Sequence, residues 1–301
     1  MRVAQSLPST PADASAALVD PATSVGRGPD WILAKDNEAR VPWHWGPGIL
    51  LSLNAPAPAL SVCVLAYRSA DTIERFVAEL SGLLEREEPE WEIVLVGNYL
   101  AGADDRTPEV VRALARGHPR IRAVTRIKTG MMGWDTRTGL AAATGRVLAV
   151  IDGDGQMPAT DVVRVYRHLR RYGLDFAKTY RTARDDGARR RLISLVYNAV
   201  FRLLFPGLDS RDVNSKPKMM TREVYDRLDL RSDGWFIDAE IMIQLRRMGL
   251  RLGEIGTVFR SLDSRPSFVR PLAILEFIGN LLAYRLRERG RRVLAPRTVR
   301  E

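Results

Sequence analysis

The chain has 301 residues, 46% hydrophobic and 27% charged, the composition of a soluble globular protein with room for one large domain or two small ones. Its single cysteine excludes an internal disulfide, and one Cys with three His makes a structural zinc site a poor fit. The net charge of +10 favours anionic partners: a nucleotide, a nucleic acid or the anionic face of a membrane.

Residues 1–27 are rich in Ala, Ser, Pro and Gly and read as a disordered tail, without the basic and apolar regions of a signal peptide. Residues 28–59 are irregular, and Trp31, Trp43 and Trp45 predict that they pack on the domain. From Leu60 the pattern becomes regular. Strands are predicted at Leu60–Ala66, Trp91–Val96, Ile121–Arg126 and Arg146–Ile151. Helices are predicted between and after them at Asp71–Arg86, Thr107–Arg116, Thr136–Thr144 and Thr160–Tyr172. Phe176–Tyr180 and Leu252–Phe259 read as further strands, with a helix over Asp238–Gly249. This alternation predicts a mostly parallel α/β sheet with helices on both faces, over residues 60–262. Residues 263–301 read as an amphipathic helix and a basic tail. Cys63, inside an apolar strand, reads as a small core residue. No apolar run is long enough to span a bilayer, which takes about 18 residues or more.

The strand ending at Ile151 delivers Asp152, Asp154 and Gln156 onto a turn containing Gly153 and Gly155. Asp-Gly-Asp-Gly alone is a common turn. Behind a buried strand and ahead of a helix, the same residues also make a site for a hard cation. Oxygen donors at alternating positions suit Mg²⁺ or Mn²⁺, which keep coordination positions open for phosphate. An EF-hand would need a helix, not a strand, before the motif.

Four segments carry a resemblance. They are Ser61–Tyr67 followed by Asp71–Ile73; the Gly-rich Thr129–Gly145; Asp152-Gly-Asp-Gly-Gln156, which is similar to a D-x-D-x-Q motif; and Asp212-Val-Asn-Ser-Lys-Pro-Lys218, which is similar to D-x-x-S-G-F-K. Together they resemble the family-two glycosyltransferases of the GT-A fold, in particular the polyprenol-phosphate, dolichol-phosphate mannose synthase-like group, over about Leu60 to Pro271. The chain departs from the family at two strand ends. It has Leu65-Ala-Tyr-Arg-Ser69 for the usual Pro-x-Tyr-Asn-Glu, and a longer Gly97–Thr107 segment for Asp-Asp-Gly-Ser.

The resemblance implies an inverting transfer from a nucleotide-diphosphate sugar to a polyprenyl phosphate. Asp152, Asp154 and Gln156 would hold the metal on the leaving diphosphate. Ala66, Tyr67, Asn98, Lys128, Gly130, Asp152 and Gly153 would line the donor. Lys128 reads equally as a point charge near the phosphates or as a solvated loop lysine. A lipid phosphate is already anionic and needs cations rather than a base; the candidates are Arg181, Arg184, Arg190, Ser194, Lys216 and Arg265, with Arg260 competing with Arg265. A hydroxyl acceptor, a polysaccharide or small glycan, would need a base, for which Asp238 is the candidate, unless it merely pairs with Arg246 or Arg247.

The predicted helix Arg189–Phe205 carries Arg190, Ser194, Asn198 and Arg202 as one narrow polar stripe. Its apolar remainder reads as buried or as resting on lipid. With the amphipathic stretch Leu272–Leu286 and the basic tail, it predicts a cytoplasmic protein, peripheral on the inner face of the cell membrane. A non-catalytic binder of anions or nucleic acid is the third reading; under the glycosyltransferase readings no nucleic-acid partner is expected.

Overall fold

The structure is a computed structural model that describes residues 56–184, 188–208, 210–260, 272–287 and 297–300. The elements run β1 (Leu60–Leu65), α1 (Ala70–Glu87), β2 (Trp91–Val96), α2 (Thr107–Gly117), β3 (Ile121–Val124), α3 (Met132–Ala142), β4 (Val147–Asp152) and α4 (Thr160–Arg171). They continue with β5 (Phe176–Arg184), α5 (Ala188–Leu204), β6 (Lys218–Thr221), α6 (Arg222–Arg227), α7 (Ile237–Leu245), β7 (Arg251–Phe259), α8 (Leu272–Arg287) and β8 (Arg297–Arg300).

β1 and β2 are buried along their whole length, as strands of a sheet covered on both faces should be; they are apolar but for Ser61 and Glu92, which are hydrogen-bonded to each other. Alternation sorts their side chains. Val62 and Val64 meet Ile73 of α1 and Val162 of α4 on one face; Cys63 and Leu65 meet Leu140 of α3 and Ile241 of α7 on the other. Burial pushes the Cys63 thiol far above its ordinary pKa, so it behaves as core. In α1, Ile73, Phe76, Val77, Leu80 and Leu84 recur at helical spacing as the buried stripe.

The eight strands lie in the order β3-β2-β1-β4-β6-β5-β7-β8, all parallel to their neighbours except β6, which is antiparallel to β4 and β5. The chain steps outward from β1 through β2 to β3, then returns to place β4 on the other side of β1. That reversal opens a crevice beyond the carboxyl ends of β1 and β4, where open α/β sheets bind ligands. Leu65 pairs with Asp152, so the metal-type motif begins at that crevice.

Three differences from the sequence reading bear on function. α3 begins at Met132 rather than Thr136. β6, read from sequence as neither strand nor helix, reverses direction and carries lysines to the crevice. β8, Arg297–Arg300 of the basic tail, pairs with β7 and extends the sheet instead of trailing it. Residues 1–55, with Trp31, Trp43 and Trp45, lie outside the described residues.

The polar stripe of α5 does not face one way. Asn198 is buried and its Oδ1 accepts from the Val213 amide at 3.0 Å, while Phe201 sits in the core. The apolar Leu195, Val196 and Leu203 are exposed instead, Leu203 at 81%. α8 packs against α5 and adds exposed Leu282 and Leu286. Among the described residues no helix is long and apolar enough to cross a membrane.

Candidate active site

Asp152 ends β4, and Gly153 is pinned by its amide to the Leu65 carbonyl at 2.8 Å. Gly155 takes φ +78°, a left-handed conformation that glycine adopts without strain, and turns the chain between Asp154 and Gln156. The Gln156 amide donates to Asp154 Oδ1 at 3.0 Å, a side-chain turn that rigidifies the loop. Gln156 also meets the end of β7: the Arg260 amide donates to its carbonyl at 3.0 Å. Arg260 is thereby placed beside the motif, whereas Arg265 lies outside the described residues.

Asp152, Asp154 and Gln156 are all partly exposed at the crevice, the Asp152 side chain at 38%. Among the described residues no three His, Cys, Asp or Glu gather as a closed metal cage. Two carboxylates and an amide on an open loop fit Mg²⁺ or Mn²⁺, which take one or two carboxylates and complete their shell with water and phosphate oxygens. A metal held there would neutralise a diphosphate leaving group.

Behind the motif sit three lysines, each almost wholly buried. Lys216 Nζ donates to Asp152 Oδ1 at 2.9 Å and Oδ2 at 3.2 Å, and lies 3.8 Å from Asp238. Lys218 Nζ donates to Asp238 Oδ1 at 2.6 Å and to the Ser215 carbonyl at 3.0 Å. Lys178, paired with Lys218 across the sheet, donates to Glu254 at 3.3 Å. Buried ammonium groups persist only when paired. For Lys216, burial disfavours the charge, but Asp152 and Asp238 outweigh it and hold its pKa above the ordinary value. For Lys218 burial wins, aided by Lys178 and Lys216, and the pKa falls to about 8 despite Asp238. The partner of Asp238 is therefore Lys218 rather than Arg246 or Arg247, the alternative weighed from sequence; Arg246 Nε turns to the Pro206 carbonyl at 2.6 Å. Sequence reasoning missed Lys178 and did not foresee Lys218 as the partner of Asp238. The signal available was a lysine at alternate positions, Lys216 and Lys218, at the start of a short apolar strand.

The wall beyond β1 and β2 holds Tyr67 and Asn98. Lys128 is buried, ion-paired with Asp135, and its Nζ lies 4.3 Å from the centre of the Tyr67 ring. That overturns the solvated-loop reading of Lys128. Asn98 Nδ2 donates to Asp135 Oδ1 at 2.9 Å, and its Oδ1 accepts from the Arg126 amide at 2.8 Å. Burial pushes the Asp135 carboxyl up, and Lys128 and Asn98 offset part of that.

The Gly-rich segment is placed by packing. Its backbone is stitched to residues 232–234: Met131 N to Asp233 O at 2.7 Å, Gly133 N to Gly234 O at 2.9 Å, and Trp134 N to Asp233 O at 3.1 Å. A Cβ on Gly130 would come within 2.7 Å of the Asp233 Cβ. These contacts account for Gly130 without a phosphate.

The acceptor candidates divide. Arg181 holds Asp212 with two bonds, Nε to Oδ2 at 2.6 Å and Nη2 to Oδ1 at 2.8 Å. Lys216 faces Asp152 of the motif loop. Arg184 ends β5, and Arg190 and Ser194 lie in the first two turns of α5, but their side chains, like Arg265, fall outside what the structure describes.

The family model for glycosyl transferase family 2 matches residues 61–228. The chain belongs to this family. It is 30% identical over 203 residues to the glycosyltransferase AglD of Haloferax volcanii, an alignment covering 65% of this chain and 32% of that protein. It is 25% identical over 223 residues to a dolichyl-phosphate beta-glucosyltransferase of Trichomonas vaginalis, covering 68% of this chain and 66% of that one. The chain thus spans about a third of the first relative's length and just under two thirds of the second's. Among solved structures, mannosyl-3-phosphoglycerate synthase from Rubrobacter xylanophilus matches with a TM-score of 0.57 at 20% identity, over 78% of this chain and 75% of that one. Glucosyl-3-phosphoglycerate synthase from Mycobacterium tuberculosis, in complex with Mn²⁺, UDP-glucose and phosphoglyceric acid, matches with a TM-score of 0.54 at 19% identity, over 76% and 79%. The fold of this family-2 chain is the expected GT-A fold.

Proposed function

We propose that the chain is an inverting glycosyltransferase that moves a sugar from a nucleotide-diphosphate sugar to a polyprenyl phosphate at an anionic membrane surface. The donor half rests on the family and on the open Asp152-Asp154-Gln156 loop, which suits Mn²⁺ or Mg²⁺ on a diphosphate. A glucosyltransferase acting on dolichyl phosphate among the relatives supports the lipid acceptor. So do the exposed apolar side chains Leu195, Val196 and Leu203 of α5 and Leu282 and Leu286 of α8, two helices that pack together and would rest on lipid.

One observation carries the choice of acceptor. Asp238, the candidate base, is clamped between Lys218 at 2.6 Å and Lys216 at 3.8 Å. Taking a proton from a hydroxyl would break a buried ion pair. A phosphate oxygen attacks the sugar without giving up a proton, so its site needs cations alone. The metal on the leaving diphosphate supplies Lewis-acid charge stabilisation when bound. The chain's own residues hold the motif loop rigid and keep Asp238 paired.

Asp238→Asn keeps the shape and removes the base. Assayed well below its melting midpoint, it is expected to keep turnover with prenyl phosphate within about tenfold of the parent. A true general base typically contributes ~10²–10⁴-fold. A collapse of that size, in protein whose melting curve shows it folded, would promote a hydroxyl acceptor.

A further inference from the structure

Lys216 occupies an unusual position. Its side chain is almost wholly buried, yet its ammonium caps both oxygens of Asp152, a carboxylate more than a third exposed at the crevice. The opposite carboxylate, Asp238, lies 3.8 Å from the same nitrogen but is already held by Lys218. Met132 Sδ, 3.0 Å away, closes the remaining side with a soft acceptor. The ammonium is thus fixed by packing on one side and faces the motif on the other. Lys216 also stands where the pattern this segment resembles has a glycine, so the charge is a feature of this chain.

We infer that Lys216 is a resident cation of the donor site, whose ammonium competes with a divalent ion for the Asp152 carboxylate. This rests on the proposed metal–diphosphate site. Two cations cannot share one carboxylate at full strength. While the lysine holds Asp152, the donor-free protein binds metal weakly, through Asp154 and what remains of Asp152. A nucleoside diphosphate changes that balance. Its oxygens supply ligands to the metal and a new anion for the ammonium, so metal and diphosphate bind together rather than in sequence.

The test is Mn²⁺ binding alone, without nucleotide, followed by the loss of the free-ion paramagnetic resonance signal. Lys216→Met keeps the length and apolar stem of the side chain; Lys216→Gln is the second variant, should the first fold poorly. A neighbouring charge shifts proton affinity at a carboxylate by about one to three decades, and a competing metal faces a comparable penalty. Removing the ammonium is therefore expected to tighten Mn²⁺ binding by roughly 10-fold or more, and Asp154→Ala to abolish it. A lysine with only a structural role would, once removed, leave Mn²⁺ affinity the same or lower. That result, in folded protein that binds Mn²⁺, overturns the competition and leaves the metal site standing. If neither parent nor variants bind Mn²⁺, even with UDP or GDP added, the metal-site reading fails and the inference with it.

Discussion

Gly133→Ala is expected to lower the unfolding free energy by about 3 kcal/mol or more, because the added methyl meets backbone rather than a movable side chain. A Cβ there would lie well inside contact distance of the Ser232 carbonyl and 2.7 Å from that of Gly234. The Gly234 oxygen accepts the Gly133 amide, so it cannot swing aside without losing a bond that joins the two segments. The start of α3 depends on those bonds: its N-cap residue Met131 makes no side-chain cap, and the amides of Met131, Gly133 and Trp134 are satisfied by carbonyls of residues 233 and 234. The same segment leads into α7 and Asp238, so the damage should reach the site. Urea unfolding of parent and variant measures it; a loss below about 0.5 kcal/mol, the range of harmless surface changes, would contradict the packing account.

Lys218→Met should cost about 3–5 kcal/mol, the usual consequence of removing one partner of a buried ion pair. Asp238 would keep only Lys216, at 3.8 Å, which Asp152 also holds. Combining Lys218→Met with Asp238→Asn should recover much of the loss, since no uncompensated charge remains. Urea unfolding of the parent, the single variant and the double variant at neutral pH measures both effects; a single variant as stable as the parent would show that the pair carries no weight.

Much of the fold was legible because buried parallel strands are mostly apolar runs. Trp91–Val96 was read to the residue, and Leu60–Leu65 and Val147–Asp152 to within one. The crevice motif was legible for the same reason, since Asp152 follows such a run. β6 and β8 were not. Each has four residues and carries charge, Lys218 in one and Arg297 and Arg300 in the other, and only their sheet neighbours make them strands. The start of α3 was hidden by Gly130 and Gly133, poor helix formers that are required by the segment docked on them. The polar stripe of α5 misled because buried asparagine and exposed leucine look alike in a periodic pattern until Val213 is seen bonding Asn198. The pairing of the lysine cluster could not be read, although Lys216 and Lys218 stand at alternate positions in the sequence. Its ammonium groups are matched to Asp152, Asp238 and Glu254 by an antiparallel strand that brings distant residues together.

The most direct test is to let the protein choose its acceptor. Parent protein with Mn²⁺ and a panel of labelled nucleotide sugars is offered polyprenyl phosphate in anionic vesicles and, in parallel, neutral mono- and oligosaccharides. The account predicts label in the lipid phase, dependent on the metal and on the lipid's phosphate, with none on the neutral sugars. Label transferred to a sugar hydroxyl, with none on the lipid, would contradict it.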